Sequence, residues 1–417
     1  MVTLFFKQVR LRGYRFLEKN FRQYDVKGIF ICVKHTRILL AILTLELGGS
    51  EIVQSADIKF SKAVKVLREV GSEGKGNIAA SQAMEYLSKS DKEIIPVLLS
   101  AMDEANPFAV NYLRGAVEFI FNKSLSEGGA LPLVELGEFL LNKSHDTKPR
   151  AMAFDLIKRT DAGVANRLIP GFLGDPSVDL RREAIAKLLI NASDLVKQNK
   201  KPAAVLMYRQ ALDASRDLDQ IQIISSELRE LGRNVNLTQH FGFLTNWNLV
   251  GPFHNKDRAG FGEVFGPEKD FDLNTEYKGI DGSITWKKYS TNDEYGMVDF
   301  NEPYGSLKEV TGYAHTTFIS ASDQPAELRL GCKNAWKIWL NGKLVFGRDE
   351  YHRGMRIDQY KLPVQLKKGA NIILIKACQN EQKEEWTVEW QFQLRVCDAT
   401  GTAIHSNIKA SSEVVVN

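Results

Sequence analysis

Residues 328–377 read LRLGCKNAWKIWLNGKLVFGRDEYHRGMRIDQYKLPVQLKKGANIILIKA, and the fold of the C-terminal half turns on the middle of that stretch. Trp336–Leu340 and Lys343–Phe346 are two strand-like runs separated only by Asn341-Gly342. A link of that type signals a β-hairpin, because a type I′ turn needs positive φ at both central positions. Upstream, Ala326, Leu328, Leu330 and Cys332 alternate with other residues, which predicts a strand with one buried face. Downstream, Val388, Trp390, Phe392, Leu394 and Val396 alternate with Thr387, Glu389, Gln391, Gln393 and Arg395, which predicts a strand over 387–396. Trp247 to Phe253 reads as an aromatic strand stopped by Gly251-Pro252, and the segment to Tyr304 is loop-rich, with Gly260, Gly262, Gly266, Gly279, Gly282 and Gly296. Many short strands without intervening helices predict an antiparallel β-sandwich or jelly roll over residues 241–405.

Here the chain resembles a known family. The elements "lrlGc…wkiWLNGklV…lpvqLkkGaNiilIKa", Leu328 to Ala377, look like the galactose-binding-like jelly roll, found as the sugar-binding domain of family 2 glycoside hydrolases and as an accessory module of secreted bacterial proteins. The upstream WNLVGPF, residues 247–253, is similar to the entry strand of related modules. The resemblance covers roughly 245–400 and implies a non-catalytic module whose ligands, where present, sit in loops at one end of the sandwich. The quoted motifs mark a hairpin and a tight turn, so they speak to fold rather than to ligand.

The loop after the hairpin, Gly347 to Asp358, concentrates Arg348, Asp349, Glu350, Tyr351, His352, Arg353 and Arg356. Sugars are recognised by an aromatic face beside planar polar groups, which Tyr351 with His352 or Arg353 can supply. A solvated loop with local ion pairs is the plainer alternative. Trp336 and Trp339 have opposite parity, so one faces the core and the other outward, where an indole either stacks on a ligand or packs beneath a loop. Trp339, Arg348, Tyr351, His352 and Arg353 are therefore the candidate ligand-binding residues. Trp390 keeps the buried parity and is expected in the core.

No catalytic constellation stands out. GxSxG, HExxH, GxxxxGK and dinucleotide fingerprints are missing, and the carboxylate pairs Asp349-Glu350 and Glu384-Glu385 are adjacent on expected turns. The expectation is a protein that is not an enzyme and needs no cofactor. Asp270, Asp272, Asp281 and Asp299 offer oxygens for a structural Ca²⁺, at no diagnostic spacing. Cys332, Cys378 and Cys397 lack zinc-type spacing and are open either to one disulfide or to buried thiols.

Residues 57–240 read as helical. Segments beginning at Pro96, Pro132 and Pro170 lie 36 and 38 residues apart, and each gives an apolar helix, a break at Pro107, Pro149 or Pro176, and a second helix. A two-helix unit at that period marks an α-solenoid. Asp175-Pro176-Ser177-Val178-Asp179-Leu180-Arg181-Arg182-Glu183-Ala184 resembles the turn of a HEAT repeat, and residues 202–232 resemble a tetratricopeptide-like hairpin in which Ala203, Ala204 and Tyr208 to Ala211 meet Ile223 and Leu228. The alternative is a plain helical bundle that supports its neighbour.

Lys34, His35 and Arg37, an apolar run from Ile38 to Leu47, and small residues at Ser55 and Ala56 follow the order of a signal peptide over 33–56. The run falls short of the roughly 20 residues a membrane span needs. Glu46 within it and the 32 residues before it do not fit, so 1–32 is expected to be an over-extended gene start, with 406–417 a C-terminal tail. Residues 1–55 carry nine Lys/Arg against four Asp/Glu, which more than accounts for the net charge of +4. The near-neutral remainder gives no electrostatic footprint for nucleic acid. The expectation is a secreted or periplasmic binding protein whose β module engages a carbohydrate or glycoconjugate while the helices dock another protein. Two others stand beside it: an assembly protein with no sugar ligand, and an accessory part of a carbohydrate-active enzyme with a pocket between the halves.

Overall fold

The computed structural model describes residues 50–269 and 271–407, with side chains from Lys59 onward. The extension 1–32 and the leader at 33–56 lie outside the described residues, except that the backbone of 50–56 opens the first helix; the tail is described only to Asn407, and Asp270 is outside. The chain divides into two compact units, 1–132 and 133–417.

The described part of the first unit contains α1 (Ser50–Arg68), α2 (Asn77–Leu87), α3 (Ile95–Ser100) and α4 (Pro107–Ser126). Local chemistry fixes where α4 begins. Asn106 Oδ1 accepts from Phe108 N at 2.9 Å and Ala109 N at 3.1 Å, and Pro107 fills a first-turn position that needs no donor. Such a cap is worth about 1 kcal/mol. Leu113, Val117, Ile120 and Phe121 recur at helical spacing and are buried, and α4 packs on α1, α2 and α3.

In the second unit the helices come first: α5 (Leu133–Leu141), α6 (Thr147–Thr160), α7 (Ala162–Leu168), α8 (Val178–Lys197), α9 (Lys201–Ala214), α10 (Leu218–Glu230) and α11 (Leu237–Phe241). α5 packs on α6, α6 on α7 and α8, α8 on α9 and α10, and α9 on α10. A buried ion pair ties α6 to the turn before α8. Arg150 and Asp175 are 1% and 2% exposed, and the guanidinium gives two parallel bonds to the carboxylate at 2.8 and 2.7 Å. Arg150 Nε donates to Leu140 O, Ser177 N donates to Asp175 Oδ1, and Arg181 donates twice to Asp175 O. Burial works against ionising Asp175, but the bonds from Arg150 and Ser177 outweigh it and lower its pKa.

Two helical details differ from expectation. Pro170 does not start a helix but lies in the 3₁₀ turn Ile169–Phe172 that follows α7, so the third hairpin begins at Ala162. In the next, Ala204, Tyr208, Ala211 and Leu228 share one buried cluster, whereas Ile223 and Ala203 are exposed.

After these helices the sheets are antiparallel, with short helices at Gly266–Lys269 and Asn301–Tyr304 between strands. Their strands are β1 (Asn246–His254), β2 (Tyr277–Lys278), β3 (Ser283–Ile284), β4 (Lys287–Ser290), β5 (Val298–Asp299), β6 (Val310–Ser320), β7 (Gln324–Cys332), β8 (Ala335–Leu340), β9 (Lys343–Arg348), β10 (Tyr360–Leu366), β11 (Gly369–Gln379) and β12 (Gln391–Cys397). One sheet has the order β4-β1-β6-β11-β8-β9, a second β10-β7-β12-β5, and β2 and β3 form a small ribbon. Trp247, Phe318, Trp336, Ile338, Ile373 and Ile375 from the first sheet and Leu328, Leu330, Leu362, Phe392, Leu394 and Val396 from the second belong to one buried core with Phe300 and Trp390.

The β8–β9 hairpin turns at Asn341 (φ 51) and Gly342 (φ 78), with Leu340 opposite Lys343. Asn341 also bonds across to β11, its N donating to Ile372 O and its Oδ1 accepting from Ile372 N, both at 2.8 Å. Gly251-Pro252 does not stop β1. The strand continues to His254 with its register against β6 shifted between Val250 and Phe253. Nor does the strand predicted over 387–396 start at Thr387. Glu385–Thr387 is a 3₁₀ turn whose Thr387 O accepts from Lys308 Nζ at 2.8 Å, and Val388 is exposed.

Both outer sheet faces are covered, which the simple alternation did not foresee. On the four-stranded sheet, Arg395 and Arg329 share Asp358, and Arg395 Nη1 donates to Phe241 O at the end of α11. On the six-stranded sheet, the segment 255–286 lays Phe265, Tyr277, Ile284 and Trp286 over Val250, Phe253, Tyr313 and Leu374. Beneath it Lys376 is fully buried, with Nζ 2.8 Å from Glu268 Oε1 and 2.6 Å from Glu263 O. Tyr313 donates its hydroxyl to the same Glu268 carboxylate.

Candidate functional site

The loop 347–358 leaves the β9 edge and crosses one end of the two sheets. Arg348 Nη2 lies 3.0 Å from Glu350 Oε1 and Arg353 Nε 3.3 Å from Glu350 Oε2, so one carboxylate gathers both arginines. The bond from Arg348 holds Glu350 ionised below the usual carboxylate range. Tyr351 turns inward. Its hydroxyl accepts from Asn255 Nδ2 at 3.0 Å, and the Arg258 guanidinium lies 5.2 Å from its ring centre. Burial raises the Tyr351 pKa.

His352 stands with φ 55 and points Nε2 at Asn380 Oδ1, 2.9 Å away. Burial lowers its pKa more than the Asn380 bond raises it, so the ring is neutral at pH 7. Since Nε2–H is spent on Asn380, Nδ1 carries the lone pair, and it is a buried atom with no partner among the described residues. Edge-on to the imidazole, at 5.3 Å, is Trp386, whose side chain is 55% exposed. Lys333 Nζ donates to Trp386 O at 2.6 Å and pairs with Glu389, which fixes the indole-bearing turn.

Below this rim lies a floor of carboxamides. Asn255, Asn334, Gln379 and Asn380 are all buried. Asn334 Nδ2 donates to Gln379 Oε1 at 3.2 Å, Asn255 Nδ2 to Gln379 O at 2.8 Å, and Gln379 Nε2 to Thr387 O at 3.0 Å. Asn255 Oδ1 and Asn334 Oδ1 have no partner among the described residues. A buried acceptor left unpaired costs about 1–3 kcal/mol, so this end of the sheets carries acceptor capacity that its own donors do not use. An exposed indole, a half-buried neutral imidazole and a hydrogen-bonded phenol thus lie together at one end of the sheets.

Of the five residues singled out from sequence, Arg348, Tyr351, His352 and Arg353 come together here. Trp339 does not. It is half-buried on the outer face of the six-stranded sheet, packed with Trp286 and Phe265 beneath the segment 255–286. Trp336 is the core-facing member of that pair. Trp386, Asn255, Arg258 and Asn380 were not singled out as site residues. Trp386 had a weak signal, as an indole inside the charged run Glu381 to Glu389, although it shares the parity of Val388 and Trp390.

Among the described residues no group of three or more His, Cys, Asp or Glu is placed to hold a metal ion. Asp272 Oδ1 is taken by Asn274 N, and Asp299 Oδ1 by Asn301 N. Cys332, Cys378 and Cys397 are free, buried thiols, with burial pushing them up to about 12, 11 and 11. No described helix is long and apolar enough to cross a membrane.

No protein-family model and no curated protein matches the chain. Among solved structures, the crystal structure of the GH31 alpha-xylosidase from Xanthomonas citri is similar over 37% of this chain and 18% of that one, at 8% identity and a TM-score of 0.21. The overlap takes in less than a fifth of that enzyme, and a likeness of that size carries no argument about activity.

Proposed function

We propose that this chain is a non-catalytic, exported binding protein whose β part is a galactose-binding-like jelly-roll sandwich engaging carbohydrate at the 347–358 end. One observation carries the reading. The exposed Trp386 indole stands against a neutral, half-buried His352, beside a loop that presents the Arg348 and Arg353 guanidiniums. A pyranose ring offers an apolar face to stack on the indole, and the exposed Arg348 and Arg353 guanidiniums with Glu350 supply planar polar partners for its hydroxyls. Export rests on the basic–apolar–small order of residues 34–56.

The helices are read as a HEAT-like and tetratricopeptide-like array that docks a partner protein. Among α5 to α10 the main contacts join helices one or two apart in sequence, as stacked hairpins do, and the Arg150–Asp175 pair links one hairpin to the next. Val134, Ile190, Leu206 and Ile223 are each at least half exposed on these helices, which also supports the second reading, an assembly protein that uses both parts for protein contacts.

A panel of soluble polysaccharides separates the two. Retention of the wild-type chain on at least one glycan, lost in Trp386→Ala and His352→Gln but kept in Trp339→Phe, supports carbohydrate binding. Silence across the panel leaves the assembly reading.

A further inference from the structure

Far from the 347–358 loop, where α8 and α9 approach the C-terminal segment after β12, the second unit has an open cleft of about 480 Å³. Its walls include Gly174, Arg181, Gln210, Arg216 and Thr402, with the Asp213 carboxylate among them. The two arginines are held by oxygens that carry no formal charge. Arg181 Nε and Nη2 donate to Asp175 O at 3.0 and 2.7 Å. Arg216 Nη1 donates to Ser215 O at 2.6 Å and Asp213 O at 2.9 Å, and Nε to Thr402 Oγ1 at 3.0 Å. Neither makes an ion pair among the described residues, which leaves Arg181 Nη1 and Arg216 Nη2 without a protein acceptor.

The carboxylates nearby are engaged elsewhere or stand at the margin. Asp175 is spent on Arg150. Asp398 folds its Oδ1 onto its own loop, accepting from Thr400 N, Thr400 Oγ1 and Thr402 N at 2.7–2.9 Å. Asp358 serves Arg395 and Arg329. Asp213 is exposed. Burial is the largest influence lowering the Arg216 pKa, and the charge of Arg181 comes next, ahead of the opposing pull of Asp398. Arg216 thus feels the Arg181 charge ahead of any carboxylate, while Arg181, also lowered chiefly by burial, feels Asp398, Asp175 and Asp217 as opposing charges. A buried and a half-buried like charge facing one cleft are stabilised when an anion sits between them, and a guanidinium fork matches the oxygens of a tetrahedral oxyanion.

We propose that this cleft is a binding site for a phosphate- or sulfate-type oxyanion, bridging Arg181 Nη1 and Arg216 Nη2 with the Thr402 hydroxyl and the Gln210 amide at its edge. The site is independent of the carbohydrate reading, since none of its residues belongs to the 347–358 end.

The test is calorimetric titration of the full chain with potassium phosphate and with potassium sulfate at fixed ionic strength, with potassium chloride as the blank. The expected result is saturable binding at one site with at least one of the two oxyanions; which one binds tells a phosphate site from a sulfate site. Arg216→Gln removes one fork and is expected to weaken binding about tenfold or more. Because Arg216 also holds Thr402, Gln210→Glu provides a second probe, putting a negative charge at an exposed position of the site edge in place of the amide, and is expected to weaken binding as well. Arg209→Gln, an exposed change outside the cleft, is expected to leave the affinity unchanged. Absence of saturable binding by both oxyanions overturns the proposal. So does equal binding by Gln210→Glu and wild type, or an equal loss in Arg209→Gln.

Discussion

Replacing Arg150 with Met removes the cation from a pair that is almost wholly out of water, and leaves Asp175 with only Ser177 N as a donor to its carboxylate. The Leu140 carbonyl loses its Arg150 donor at the same time. Breaking a buried pair from one side costs about 3–5 kcal/mol, because the surviving charge has no water to turn to. Asp175→Asn strands the guanidinium instead, while keeping an acceptor for Ser177 N, and is expected to cost a similar amount. The double change removes both charges of the pair, so its cost falls short of the sum by about 2 kcal/mol or more. All six tryptophans lie between Trp247 and Trp390, so urea unfolding followed by far-ultraviolet dichroism reports on the helices and fluorescence on the sheets. The loss belongs in the dichroism transition. Because the folded Asp175 pKa lies below 3.8, the stability that ionisation provides is present above that value and lost as pH falls through the folded pKa. The wild-type advantage over Asp175→Asn therefore narrows in strong acid. Single-variant costs below about 1 kcal/mol, or strict additivity, refute the claim that this pair joins the hairpins.

Two further predictions concern the sheets and their pH range. Gly342→Val meets no atom within 4 Å but forces φ of +78 on a branched residue, so it costs about 1–2 kcal/mol by fluorescence-detected unfolding; an unchanged midpoint contradicts the turn geometry. Burial lowers His315 to about 4, and burial with the Arg216 charge lowers His240 to about 4, from 6.5. The unfolded chain then binds protons first on acidification, so full stability holds above about pH 6.5 and falls toward pH 4, by at most about 1.4 kcal/mol per unit per histidine. A shallower slope over this range in the His315→Gln/His240→Gln double variant than in wild type is the expected result, His352 supplying part of what is left; an equal slope in both contradicts it.

The hairpin was legible because Asn341-Gly342 admits few other conformations, and the alternation of Leu328, Leu330, Phe392, Leu394 and Val396 did report the shared core. What escaped was tertiary. Arg395 keeps the outward parity yet is buried, because Asp358 and the end of α11 close over it. Thr387 continues the period-two pattern but is diverted into a 3₁₀ turn by hydrogen bonds that a local pattern does not contain. The loop 347–358 was visible from its charge density. Its neighbours were not, since Asn255 and Trp386 come from segments distant in sequence, and only burial separates the packed Trp339 from the exposed Trp386.

Carbohydrate engagement at Trp386 and His352 is the central claim, and affinity electrophoresis through gels cast with individual polysaccharides tests it most directly. Trp386 is exposed, so Trp386→Ala is expected to keep the fold within about 0.5 kcal/mol while weakening binding about tenfold or more. The predicted result is a wild-type band retarded in at least one gel and a Trp386→Ala band that runs as in the blank. Two bands retarded equally, or a wild-type band retarded in none of the gels, contradict the account.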